Sequence, residues 1–195
     1  MAPWPVGNGG AVSKPFNMTA ALQGNWSLPT QIWSVLGRLA ELPQDCRALD
    51  ITRPVAVIDP GIAGLSFVTA ARVGGHDGII AIGSGSAMDT TKAIALMAGQ
   101  SRPLMDFVDI GDKWRRVDVA AILPVIMVPT SAGTGSEVGS SAVVTEATSQ
   151  RKVVIFHPRL LPARVIIDPE LTLGLPAGVT AATDKAQIGL RTATG

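Results

Sequence analysis

The chain has 195 residues, 47% of them hydrophobic and 16% charged, and its sixteen basic and fifteen acidic side chains leave a formal charge of +1. That composition excludes a chain too polar to collapse, and with no basic cluster interleaved with aromatics it excludes nucleic acid as the expected partner. The length allows one sizeable core, with at most a fragment of a second domain.

Residues 1–24 are expected to form a mobile leader, because the stretch to Lys14 is rich in Pro, Gly, Ser and Asn and poor in apolar side chains. It lacks the basic start and apolar segment of a secretion signal. From Thr30, QIWSVLGRLAEL sets Ile32, Val35, Leu36, Leu39 and Leu42 at helical spacing between Pro29 and Pro43, which predicts a helix. The single cysteine, Cys46, cannot form an internal disulfide, so a reducing cytoplasm is the expected setting.

The apolar run PVAVID then predicts a buried strand ending in a carboxylate, Asp59. DGIIAIG predicts a second strand, GSGS a glycine turn, and MDTTKAIALMAG a helix favoured by Ala and Leu. VAAILPVIMVP predicts a third strand; its apolar stretch is broken by Pro124 and is far too short to cross a bilayer, so no membrane partner is expected. VVTEATSQRKVVIF reads as two strands joined by a polar turn, ARVIID as one more strand, PELTLGLP as a turn, and GVTAATDKAQIGL as a helix start. Buried runs alternating with helices predict an α/β fold, with a mainly parallel sheet and helices on both faces.

Two segments carry the candidate chemistry. Gly83-Ser84-Gly85-Ser86 sits between a predicted strand and a predicted helix, where glycines allow close backbone approach and the unpaired first amides of the helix favour a phosphate. Ser84 and Ser86 add hydroxyl donors. The spacing is neither the dinucleotide fingerprint G-x-G-x-x-G nor a Walker loop, and a plain strand-to-helix turn is the alternative reading. The second segment, Thr130 to Glu137, reads TSAGTGSE and again follows a buried run, at the strand end where open parallel sheets bind ligands. A flexible polar loop is its alternative.

GIIAIGSGSAMDTTKAIAL resembles the motif GGGSxxDxxK of the iron-containing alcohol dehydrogenases, and PTSAGTGSEV resembles their PTTAGTGSEV. ARVIIDPELTLGLPAGVTAAT resembles the family's next stretch, in the same order, so the likeness covers residues 25–183, the expected cofactor-binding domain. The resemblance implies a Rossmann-like sheet flanked by helices and reversible hydride transfer between a primary alcohol or aldehyde and NAD(P). It sets Asp59 beside the adenosine ribose, where an acid favours NAD over NADP. Ser84, Gly85 and Ser86 would contact the pyrophosphate, and the helix face carrying Asp89 and Lys92 would lie beside the cofactor; taken alone, those two would be a solvated ion pair. Thr130, Ser131 and Thr134 would line the adenine and nicotinamide-ribose side, and Lys152 would reach the nicotinamide ribose.

The chain departs from the family's pattern in ways that bear on function. Ser84 replaces a glycine, and the stretch from Asp59 to Gly83 lacks a helix, strand and helix, which would leave a gap in the sheet or expose apolar faces. Where the family continues GMDALTHAIE with its first two metal ligands, this chain reads TAATDKAQIGLRTATG, so residues 184–195 form a divergent tail in which only Asp184 is a candidate ligand. The expected domain is therefore incomplete relative to the family, with the helical metal-binding domain absent, no catalytic residue assigned and iron not expected in this chain. His76 and His157 lie outside the family's metal motif and read as satisfied or solvent-facing side chains. Two alternatives stay open: a non-catalytic nucleotide-binding or oligomer-associating fragment, and an enzyme of the dehydroquinate-synthase type sharing the domain. Homo-oligomer formation stays open as well.

Overall fold

The computed structural model describes residues 24–27, 30–58, 73–173, 175 and 178. Eight strands fall in these segments: β1 (Gly24–Ser27), β2 (Gln31–Ser34), β3 (Pro54–Ile58), β4 (Gly78–Gly83), β5 (Val125–Pro129), β6 (Ser141–Thr145), β7 (Lys152–Phe156) and β8 (Arg164–Ile167). Two α-helices accompany them, α1 (Leu42–Ala48) and α2 (Gly85–Met97). The main sheet has the order β1-β2-β8-β5-β4-β3, parallel throughout except for the antiparallel pair β1 and β2. Strands β6 and β7 form a separate antiparallel hairpin.

The central strands are continuous apolar runs because both of their faces are covered. Ile79 and Ala81 of β4, with Val125 and Met127 of β5, pack on one face against Met88, Ile94 and Ala95 of α2. Ile80, Ile126, Val128 and Ile166 point to the other face and meet Cys46 of α1, Ile51 and the partly buried Leu39, Leu42 and Leu49. Helices therefore flank both faces, as the alternation of buried runs and helices predicts. The far side of α2 is covered too: Leu96 joins Phe107, Val117, Ala142, Ile155 and Leu160 in a third cluster beneath the hairpin. A helix buried on two sides needs small and apolar residues around most of its circumference, which its Ala, Ile, Leu and Met supply.

The helix expected from Thr30 to Leu42 does not form. Gln31–Ser34 is strand β2, paired in parallel with Arg164–Ile167, and that pairing places Ile32 in the core. Gly37 then takes a left-handed conformation, φ 71°, which ends any regular continuation. A 3-10 turn over Arg38–Glu41 leads into α1, which has Pro43 in its first turn. Proline suits a helix start because its missing N–H has no intrahelical partner there, so Pro43 opens a helix rather than closing one.

No gap separates β3 from β4, which pair directly from Pro54 with Gly78 to Ile58 with Ile82. Apolar exposure does occur around the segment in question, since Ile58 is 55% and Val73 83% exposed. Residues 1–23 of the expected leader, the segment 59–72 with Asp59, and the expected tail with Asp184 lie outside the described residues. Among the described residues no helix is long and apolar enough to cross a membrane.

Candidate cofactor site

The two glycine- and hydroxyl-rich segments leave the sheet side by side. Gly83, the last residue of β4, is in register with Pro129, the last of β5, and the Thr130 amide donates to the Gly83 carbonyl at 3.0 Å. Both loops therefore begin at the carboxyl ends of neighbouring parallel strands, the place where open α/β sheets bind ligands. Ser84 caps α2 with extended backbone, φ −82° and ψ −176°, and its side chain does not cap the helix; its Oγ lies 3.2 Å from that of Ser86. The helix's own ladder starts with the Met88 amide on the Ser84 carbonyl, so it makes no use of the amides of Gly85, Ser86 and Ala87.

Gly85 lies against Thr134 of the second loop. A Cβ built there would lie 2.6 Å from both Cγ2 and Oγ1 of Thr134, so any larger residue must push the second loop away. That loop turns through Gly135 at φ 69° into a short 3-10 segment, Ser136–Val138. Thr130 and Ser131 are half-buried and Thr134 is exposed, its Oγ1 accepting the Ser136 amide at 3.4 Å.

Asp89 and Lys92, one turn further along α2, are not a solvated pair. Lys92 has no exposed surface, and its Nζ donates to the Ser141 carbonyl at 2.7 Å and lies 3.7 Å from Asp89 Oδ1. Asp89 accepts from Ser136 Oγ at 2.9 Å through Oδ1 and from the Val143 amide at 3.1 Å through Oδ2. Burial pushes the Lys92 ammonium below its ordinary value of 10.5, while the carboxylates of Asp89 and Glu137 pull the other way. Because Lys92 meets Ser141 and Asp89 meets Val143, β6 runs antiparallel to α2, towards its N-terminus. The next residues of the hairpin, Thr145 and its partner Lys152, continue in that direction, with Lys152 exposed.

Both histidines are satisfied within the protein. His76 Nδ1 lies 2.8 Å from the Arg53 carbonyl, and the buried His157 accepts the Arg159 amide at 3.1 Å through Nδ1. Among the described residues, no group of three or more His, Cys, Asp or Glu side chains could hold a metal ion.

Sequence reading missed three polar groups. Ser136 lies within the quoted second motif, yet nothing local marks it as the partner of Asp89. Asp168, buried at the end of β8, accepts the amides of Gly37, Leu39 and Glu170, each at 3.1 Å; its place before Pro169 is a helix-start signature that reveals the last of these bonds. Arg164, at the start of β8, is ion-paired with Asp45 of α1, bonds Gln31 Oε1 at 2.6 Å, and stacks 4.0 Å from the ring centroid of Trp33.

Comparison with known proteins sets this geometry among relatives. The 4-hydroxybutyrate dehydrogenase of Cupriavidus necator is 34% identical over 186 residues, which cover 79% of this chain and 48% of that protein. A solved structure of sulfoacetaldehyde reductase from Bifidobacterium kashiwanohense in complex with NAD+ superposes with a TM-score of 0.72 at 26% identity, over 83% of this chain and 50% of that one. The NADH-dependent butanol dehydrogenase A of Thermotoga maritima shares the fold, with a TM-score of 0.72 at 19% identity over 86% and 50% of the two chains. The chain thus spans about half the length of these relatives. Residues 64–169, which contain both glycine loops, α2 and the hairpin, match the family model for iron-containing alcohol dehydrogenase, and the chain belongs to that family.

Proposed function

We propose that this chain binds NAD across the carboxyl ends of β4 and β5, and that the chemistry the cradle serves is reversible hydride transfer between a primary alcohol or aldehyde and NAD(P). The observation that carries this reading is the convergence of two small-residue loops on one helix N-terminus, locked together by the bond from the Thr130 amide to the Gly83 carbonyl. The amides of residues 85–87 and the hydroxyls of Ser84 and Ser86 suit a pyrophosphate, whose charge the helix dipole favours. Thr130, Ser131 and Thr134 would hold the sugar and base side, with Lys152 reaching the nicotinamide ribose. Asp59 would accept the adenosine ribose hydroxyls. Ile58, the residue before it in sequence, pairs with Ile82, one residue before Gly83.

The NAD+ complex of the sulfoacetaldehyde reductase supports the choice of cofactor. The relatives' names support a small alcohol or aldehyde as substrate. The family name implies iron, which would polarise the substrate oxygen as a Lewis acid. A first-row metal needs several fixed ligands, and the described residues offer no such set. The one carboxylate suggested by sequence, Asp184, lies outside them. A cytoplasmic setting is proposed on the single thiol, Cys46, which is buried and free.

Gly85→Val tests the reading, because its side chain must enter space held by Thr134. NAD(H) binding measured by fluorescence or calorimetry should be abolished while far-ultraviolet circular dichroism stays similar. Unchanged binding removes the turn from the site.

A further inference from the structure

The acid and the amine one turn into α2 have both charged ends committed to the segment that follows the second loop. Asp89 holds Ser136 at the end of that loop and Val143 in the hairpin, and Lys92 holds the Ser141 carbonyl between them. These three bonds tie residues 136–143 to the same helix whose first turn forms the other wall. Gly139 passes close to this pair, a Cβ there coming within 3.9 Å of Lys92 Nζ. At the opposite end of the loop, the Thr130 amide is fixed to Gly83. The intervening residues 131–135 are thus anchored on both sides, one anchor on the sheet and the other on α2.

We propose that Asp89 and Lys92 are positioning residues: they hold the second loop at a fixed distance from the glycine turn, so that the two walls meet one dinucleotide without reordering on binding. This rests on the NAD-binding reading above and assigns the pair a role acting through Ser136, Ser141 and Val143 rather than through contact with the cofactor. The physical case is one of preorganisation. A loop of small residues and glycines has many conformations to lose, and each constraint made before binding lowers the ordering cost that would otherwise weaken the complex. A buried charge pair suits the task because hydrogen bonds to charged groups are stronger than neutral ones and the low-dielectric interior screens them little.

The test uses the whole chain. NAD+ is titrated by calorimetry into the parent protein, Asp89→Ala and Ser136→Ala, well below the melting temperature of each, and thermal melts are run in parallel. Asp89→Ala should weaken NAD+ binding about tenfold, with faster amide hydrogen exchange in residues 131–139. Ser131→Ala, which removes a hydroxyl from the second loop, should cost less affinity in the Asp89→Ala background than in the parent, because a displaced loop has already lost that contact. Equal NAD+ affinity with only a lower melting temperature overturns the proposal and leaves the pair as ordinary core support. So does strict additivity with Ser131→Ala, since a merely structural role predicts no coupling in cofactor affinity. Should Asp89→Ala fail to fold, Ser136→Ala carries the test alone: it removes one hydroxyl, should weaken binding on the order of threefold, and overturns the proposal if binding is unchanged. A parent chain that binds no NAD+ overturns the functional reading itself, and the positioning role with it. Binding in the parent that is equal in the variants defeats only the positioning role.

Discussion

The two ends of the parallel sheet use their polar groups in opposite ways. At the amino ends of β4 and β8 the charges are spent on the protein: Asp77 takes the amide and hydroxyl of Thr52 and the amide of Arg53, and Arg164 takes Asp45 and Gln31. At the carboxyl ends of β4 and β5 the first-turn amides of α2 stay outside the helix ladder, while the charged pair Asp89 and Lys92 is committed to the second loop and the hairpin. On the proposed reading, the amino ends of β4 and β8 serve stability and the carboxyl ends of β4 and β5 serve cofactor binding. Substitutions at the two ends should separate into those that change melting and those that change cofactor binding.

The largest expected effect is at the amino end. Arg164→Met leaves Asp45, a residue 1% exposed, as an unpaired buried carboxylate, which should cost about 3–5 kcal/mol of unfolding free energy in urea titrations. NAD(H) affinity of the remaining folded protein should not change. Asp45 Oδ2 and Arg164 Nε already lack hydrogen-bond partners among the described residues, so the pair is incompletely satisfied where it stands. Replacing both residues, Asp45→Leu with Arg164→Met, should therefore recover most of the loss. A double variant as unstable as the single one would show that the ion pair, rather than the removal of an orphaned charge, sets the stability.

At the carboxyl end the expected effect is on selectivity. If the Asp59 carboxylate holds the adenosine ribose, Asp59→Gly should improve NADP affinity relative to NAD by roughly tenfold, about 1.4 kcal/mol, with little change in melting. An unchanged ratio in paired titrations with the two cofactors would make Asp59 a turn residue only.

The sequence makes local features legible and distant pairings not. Strand β4, the GSGS turn and α2 are contiguous, so a continuous apolar run followed by glycines and helix formers reveals all three. The hairpin is legible for the same reason, since β6 and β7 are joined by a short polar turn. The segment from Thr30 misleads because Ile32, Val35, Leu36 and Leu39 happen to fit a helical period. What decides its conformation is pairing with β8, whose Arg164 reaches Gln31 across 133 positions of sequence. The same limit hides the role of Asp89 and Lys92. Their spacing shows a shared helix face, but their partners lie 47 to 54 residues away and are a hydroxyl and two backbone groups, which no sequence pattern marks.

The smallest expected effect, on acid stability, tests the amino end of β4 by itself. The hydroxyl of Thr52 is the chief group holding the Asp77 carboxyl down to about 2 from its ordinary 3.8, with the amides of Thr52 and Arg53 adding to it. Above pH 3.8 the carboxylate is charged in folded and unfolded chains alike, and its bonds contribute their full stabilisation. As the pH falls from 3.8 towards 2, the unfolded chain takes up a proton that the folded one refuses, and this contribution is progressively lost. Asp77→Asn does not titrate, so the difference in melting temperature between parent and variant should be constant above pH 3.8 and shrink below it. The side chain is well exposed to solvent screening, which keeps the change modest. NAD(H) affinity at neutral pH should be the same in both proteins, because Asp77 sits at the opposite end of β4 from the glycine turn. A melting difference that does not vary with pH would mean that the carboxylate's charge adds nothing to its hydrogen bonds. A change in affinity would mean that the two ends of the strand are mechanically linked.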